Sequence, residues 1–260
     1  MSHPMAVAVD GNGRIYASNN SLHTVEVIAS GKKEMNAFGG EGKLPGKMTY
    51  PYGIGILPDG GVLVAETGNC RIQQFAADGR FIQTFIGAGS KTGLAKPGPV
   101  YVDSKGNVYV GDIGGAQVLV FDKNATLLRR IKNVSYPHGI AVDEQNRRIY
   151  VSDAGQASVK VFALDDKENR QVNVIELYAP GMSFGMVRGL AVDKLGRLYV
   201  VDSLAGAVRV FDKGGAYLFS FGEQGFGDGE LLYPTQIFID NSGKIFIADW
   251  GNNRIQVWGY

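Results

Sequence analysis

The sequence predicts an all-β protein: a six-bladed β-propeller of four-stranded antiparallel blades, the sixth blade three-stranded, in one domain over residues 1–260. Three observations carry this expectation. The stretch 233–258, YPTQIFIDNSGKIFIADWGNNRIQVW, holds three short runs of β-branched and aromatic residues, parted by Asp-Asn-Ser-Gly and Asp-Trp-Gly-Asn-Asn, which read as strands joined by tight turns. The same pattern recurs along the chain at intervals of about 46 residues, a period that suits one propeller blade per repeat. Thirty-seven glycines and no helical heptad or long apolar span complete the picture of turn-rich β structure.

Six copies follow in order, starting at Pro4, Pro51, Pro97, Pro137, Val187 and Pro234, with first strands reaching Asp10, Leu57, Asp103, Asp143, Asp193 and Asp240. Second strands run through Ile15-Tyr16-Ala17, Val62-Leu63-Val64, Val108-Tyr109-Val110, Ile149-Tyr150-Val151, Leu198-Tyr199-Val200 and Ile245-Phe246-Ile247. A polar cap closes each: Asn19, Glu66, Asp112, Asp153, Asp202 and Asp249. Third strands end at Ile28, Phe75, Phe121, Phe162, Phe211 and Trp258. Less regular fourth strands are expected in five copies, at 35–38, 81–85, 127–131, 172–177 and 217–221, and the longest return, 164–189, is expected to be a family-specific or mobile loop. Small residues dominate mid-first strand, where Ala8, Gly55, Ala141 and Ala191 stand, while bulk dominates the later strands. Blades that converge on an axis need this gradient, and Tyr101 and Phe238 are expected to narrow the centre.

Composition narrows the function. Lys plus Arg is 26 against 25 for Asp plus Glu, so the formal charge of +1 offers no bulk field for nucleic acid. No segment is apolar enough for membrane insertion, and the lone Cys70 leaves no internal disulfide and no Cys-based metal motif. The opening Met1-Ser2-His3-Pro4 carries no signal segment. The compartment stays open, a processed periplasmic or secreted form included.

The pattern P-x-G-I-A-V-D, then G-x-I-Y-V-A-D, then G-N-x-R-I-Q-V-F resembles the NHL repeat, whose proteins are six-bladed propellers. Residues 51–75 and 234–258 match it most fully, with Arg71 and Arg254 in place, whereas Asp112 and Asp202 are followed by segments without the Arg. Only Met1 to His3 precede the first copy and the chain ends at Tyr260, so blade six is expected to leave Arg254, Ile255, Gln256, Val257 and Trp258 as an unpaired edge. Flanking sequence or a partner's strand would fill it.

The repeated Asp caps are read as structural, accepting backbone amides of the following turn for about 1 kcal/mol each. Arg71 and Arg254 are read the same way. Function is expected where equivalent exposed positions differ. The residue after the leading Pro is Met5, Tyr52, Gly98, His138, Arg188 or Thr235, and the residue after the cap is Asn20, Thr67, Ile113, Ala154, Ser203 or Trp250. Met5, Tyr52, His138, Arg188, Thr235 and Trp250 form the expected partner-binding rim. Related peptidyl-hydroxyglycine amidating lyases hold zinc with several histidines, and only His138 fits that pattern here. Gluconolactonase-like propellers hold a divalent cation with carboxylates and amides, which the Pro-adjacent positions lack. No catalytic residue, metal or cofactor is therefore expected. The leading expectation is a non-catalytic scaffold binding a protein or peptide at the channel mouth; the alternative is a metal-dependent lyase or lactonase.

Overall fold

A computed structural model describes residues 1–29, 31, 35–166, 171–176 and 185–259. Five four-stranded antiparallel sheets and one of three strands follow each other along the chain, each built from consecutive strands. Their inner strands are Pro4–Val9, Pro51–Ile56, Pro97–Val102, Pro137–Asp143, Val187–Val192 and Pro234–Ile239. The expected strands are present with shifts of a residue or so at the fourth-strand ends, such as Gln171–Glu176 for 172–177. Leu177 and residues 167–170 and 178–184 of the 164–189 return lie outside the described residues.

One apolar core fills each junction between neighbouring blades. Ala8, Tyr16 and Val25 of blade one meet Ile54 and Val64 of blade two, and comparable clusters follow around the ring. The junction of blades six and one is thinner: Val7 and Val9 pack on Phe246 and Ala248. No strand crosses it. Closure also uses the Thr235 hydroxyl, 3.1 Å from the Pro4 carbonyl, and the His3 amide, which donates to Asn253 Oδ1 at 2.9 Å. Close approach of inner strands explains the Gly that follows the variable residue: a Cβ on Gly53 would sit 2.3 Å from the Gly98 carbonyl oxygen. Tyr101 reaches the neighbouring inner strand, its hydroxyl 3.3 Å from the Val142 carbonyl.

The Asp residues ending the first strands form local turns. Asp10, Asp103, Asp193 and Asp240 each accept amides two and four residues on, such as those of Asn12 and Arg14. The second-strand tyrosines serve the same carboxylates: Tyr16, Tyr109 and Tyr199 hydroxyls lie 3.2–3.3 Å from Asp10, Asp103 and Asp193.

The caps correct one expectation. Their amide donors lie mainly in the loop entering the same blade, not in the turn that follows. Thr49, Lys96, Ser135, Met186 and Leu232 amides bond to Glu66, Asp112, Asp153, Asp202 and Asp249 at 2.7–3.2 Å. All five carboxylates are fully buried, so they need more than amides. Blades two and six use the G-N-x-R-I-Q signature. Arg71 Nε meets Glu66 at 2.7 Å while its Nη atoms bond to the Lys43, Leu44 and Lys47 carbonyls; Arg254 joins Asp249 to the Gly227 and Glu230 carbonyls. These carbonyls belong to the Gly-rich returns, so the Arg ties cap to loop. Blades four and five place the cation two positions later, as Lys160 on Asp153 at 2.7 Å and Arg209 on Asp202 at 2.8 Å. Blade three offers Gln117, 3.0 Å from Asp112, and blade one reverses polarity, Asn19 donating to Glu26 at 3.0 Å.

Asp202→Ala removes the buried carboxylate that pairs with Arg209 at 2.8 Å, and loss of one partner of a buried pair costs about 3–5 kcal/mol. Denaturant unfolding should report that loss, while a tenfold smaller effect is expected for exposed Asp228→Ala, whose carboxylate stands 3.9 Å from Arg254.

Candidate functional site at the channel mouth

Every inner strand begins with a register irregularity against its neighbour, as between Pro51 and Ile54, Pro137 and Ile140, or Val187 and Leu190. The variable residue after the leading Pro sits inside or beside this bulge in each blade. A bulge re-aims side chains without disturbing the rest of a sheet, so the scaffold can be kept while this position changes.

Met5, Tyr52, Arg188, Thr235 and Trp250 line one cavity of ≈ 780 Å³, together with Asn20, Thr67 and Ser203. His138 belongs to the same constellation through Tyr52. The Tyr52 hydroxyl and His138 Nδ1 are 2.7 Å apart, with ring centroids 6.1 Å apart and nearly parallel planes. These residues come from blades two and four; the equivalent position of the intervening blade is Gly98, which adds no side chain between them. Thr235 is buried, and its hydroxyl lies within reach of the Pro4 and Ala248 carbonyls, so ring closure occupies it. Trp250 opens a short 3-10 turn, Trp250–Asn252, and packs against His3 at 4.6 Å and Tyr233 at 6.4 Å.

Several lining residues escaped the sequence reading: Tyr50, Lys96, Met186, Tyr233 and Leu204. Four of them immediately precede the leading residue of a repeat, a register that holds Tyr in three of six copies and His3, Lys96 and Met186 in the others. That comparison was available in the sequence. Tyr50 and Tyr233 adopt positive φ angles of 51° and 49°, as does His3 at 50°, which turns the chain into the bulge. Tyr50 also rests on His23 at 4.8 Å.

The site is cationic. Arg188 and Lys96 line it, no Asp or Glu does, and no carboxylate pairs with Arg188 among the described residues. The Arg188 Nε lies 3.2 Å from the Met186 sulfur, a weak acceptor. Nearby caps cannot compensate, because amides, amines and guanidinia already hold them inside the blades. Burial, reinforced by Arg188, pushes the His138 pKa down to about 4. Burial raises the Tyr52 pKa against the opposing pull of Arg188. At neutral pH the pair is a neutral imidazole accepting from, or donating to, a neutral phenol.

Among the described residues no three of His, Cys, Asp and Glu approach closely enough to hold a metal ion.

The SMP-30/gluconolactonase/LRE-like region matches residues 10–221 of the chain. NHL repeat-containing protein 3 of Homo sapiens is 28% identical over 182 residues, covering 61% of this chain and 50% of that protein. The human E3 ubiquitin-protein ligase TRIM32 is 21% identical over 296 residues, covering 87% and 44%. The chain thus spans about half the length of these curated relatives. A gluconolactonase structure from Xanthomonas campestris superposes with a TM-score of 0.73 at 18% identity, over 95% of this chain and 82% of that one, a likeness of fold. No helix is long and apolar enough to cross a membrane.

The depressed His138 pKa sets a pH window. The unfolded imidazole binds a proton below about 6.5, the folded one only below about 4, so this contribution to stability falls as pH drops from 6.5 to 4. Asp153, held below the ordinary carboxylate range by Lys160 and the Ser135 amide against its burial, loses its contribution only below 3.8. Melting temperature measured against pH should show both steps, and His138→Gln should flatten the upper one alone.

Proposed function

The chain belongs to the SMP-30/gluconolactonase/LRE-like family, and within it we propose that this propeller is a non-catalytic binding module holding a protein or peptide segment at its channel mouth. The observation that carries the reading is an open cavity with aromatic walls and unneutralised cations. Tyr50, Tyr52, Tyr233 and Trp250 offer large, rigid contact area, and Arg188 with Lys96 offers charge. Such walls suit an acidic segment that also carries an aromatic or aliphatic side chain. The Tyr52–His138 hydrogen bond holds one wall in place before a ligand arrives, which lowers the ordering cost of binding. Relatives named for NHL repeats support a repeat scaffold.

An array of fluorescent peptides, acidic or basic and with or without Phe, Tyr or Leu, tests this. Acidic-aromatic peptides should bind, Arg188→Ala should weaken them about tenfold, and Tyr52→Ala with Arg188→Ala should abolish binding while the fold melts near its usual temperature. Unchanged binding by the double variant would move the site elsewhere. Steeply salt-dependent binding of RNA in place of peptides would change the ligand class.

The family supports a second reading, a metal-dependent lyase or lactone hydrolase acting at the same mouth. Stoichiometric, tightly held zinc or calcium in untagged protein, with lactone opening lost on chelation, would replace the binding-module reading.

A further inference from the structure

Tyr52, His138 and Arg188 come from the inner strands of blades two, four and five, and their chemistry points to one arrangement of hydrogen bonds. Burial raises the Tyr52 pKa, and the charge and hydrogen bond of Arg188 oppose that rise. A guanidinium only donates, so the Tyr52 oxygen accepts from Arg188 and its own proton must go elsewhere. The acceptor it meets is His138 Nδ1, 2.7 Å away. A neutral imidazole whose Nδ1 accepts carries its proton on Nε2. The chain of bonds therefore starts at a cation with spare donors. Arg188 Nε has only the Met186 sulfur at 3.2 Å, and no carboxylate pairs with the guanidinium among the described residues.

Protonating His138 would reverse the bond. Nδ1–H would donate to the Tyr52 oxygen, and the phenol proton would be turned toward Arg188, which cannot accept it. Burial and the charge of Arg188, together with this missing acceptor, hold the His138 pKa down at about 4. No carboxylate offsets them among the described residues: blade three places Gly98 between Tyr52 and His138, and the Asp153 cap of blade four is committed to Lys160 at 2.7 Å. A ligand anion on Arg188 removes both obstacles, because it accepts the phenol proton and offsets the guanidinium charge.

We propose that Arg188 and the Tyr52 hydroxyl receive one carboxylate of the bound segment, and that its arrival is coupled to the uptake of one proton by His138. This rests on the binding-module reading and names the group that the segment must present. A carboxylate suits the place because its two coplanar oxygens meet the guanidinium fork and leave a lone pair for the Tyr52 proton. The added proton comes from solvent and goes to His138 Nδ1, while Tyr52 turns its own proton from His138 to the ligand and keeps it. His138 is a positioning residue, acting through Tyr52. Binding then tightens as pH falls, for as long as the ligand carboxylate stays ionised, which a terminal one does down to a pKa of about 3.5.

The chain has three histidines, so ring signals are separable by NMR and His138→Gln assigns the relevant one. In the free protein at neutral pH, His138 should carry its proton on Nε2. The probes are N-acetylphenylalanine, with a terminal carboxylate; N-acetylaspartylphenylalaninamide, with a side-chain carboxylate; and N-acetylphenylalaninamide, with neither. At least one acid should bind about tenfold more tightly than the amide, the tighter acid marking the source of the carboxylate, and Arg188→Ala should erase that preference. The bound acid should raise the His138 midpoint from about 4 to about 5 or above, which makes affinity at pH 5 about twofold or more that at pH 7. His138→Gln should flatten this pH dependence. A His138 protonated on Nδ1 in the free protein, equal binding of acids and amide, or a midpoint that the bound acid leaves in place would overturn the proposal. If acidic-aromatic peptides bind without moving the midpoint, the coupling fails and the binding module stands. If the small acids bind with proton uptake and no peptide does, the module fails and the carboxylate site stands.

Discussion

A fully buried carboxylate at the end of the second strand is the constraint on which most of this propeller depends. Five blades carry one, and the low-polarity interior makes each expensive unless several donors surround it. The donors come from the loop that enters the blade and from the third strand that leaves it. One anion therefore fixes the entrance of the inner strand and the start of the outer hairpin relative to each other. Where a long Gly-rich return precedes the blade, as before Pro51 and Pro234, an Arg five residues after the cap also gathers the loop carbonyls. In blades four and five a Lys or Arg seven residues after the cap holds the carboxylate instead. The Arg of the repeat signature is thus a loop clamp, and its absence from blades four and five is a substitution of position.

Spending these anions on the scaffold shapes the mouth. The cap acids are turned inward and held by cations or hydrogen-bond donors inside the blades, and the rim above them keeps its cations without compensation. The bulge at the start of each inner strand then lets one residue per blade face the ligand side while the remaining strand keeps its register. Variation at that residue costs the fold little. Tyr52 and His138 use the freedom furthest, meeting across a blade whose own contribution is Gly98. Ring closure shows the opposite economy, since Thr235 occupies the same register and is buried for the junction with blade one.

Much of the architecture was legible in the residues. Repeat starts, inner and outer strands, and the three-stranded last blade all follow from runs of β-branched residues and the turns between them. The amide donors of the caps were not legible, because a carboxylate can reach the turn ahead or the loop behind at similar distance, and sequence spacing does not distinguish them. Lys160 and Arg209 were overlooked for a related reason. In a strand, residues five and seven positions after the cap point to the same face, and only packing reveals that both reach one carboxylate. Half of the mouth was anticipated from the position after the leading Pro. The other half, with Tyr50, Lys96 and Tyr233, stands one residue before it and joins the rim because the backbone turns through a positive φ at Tyr50 and Tyr233.

What the sequence determined by itself was the blade: short β-branched runs, Asp-capped turns and small inner residues are local features, and each copy states them again. What only the tertiary structure decided was which copies meet. The Tyr52–His138 hydrogen bond and the uncompensated Arg188 depend on how six sheets close into a ring. Residues far apart in the chain become neighbours only when inter-blade burial fixes the angle between sheets, and no repeat spacing carries that angle.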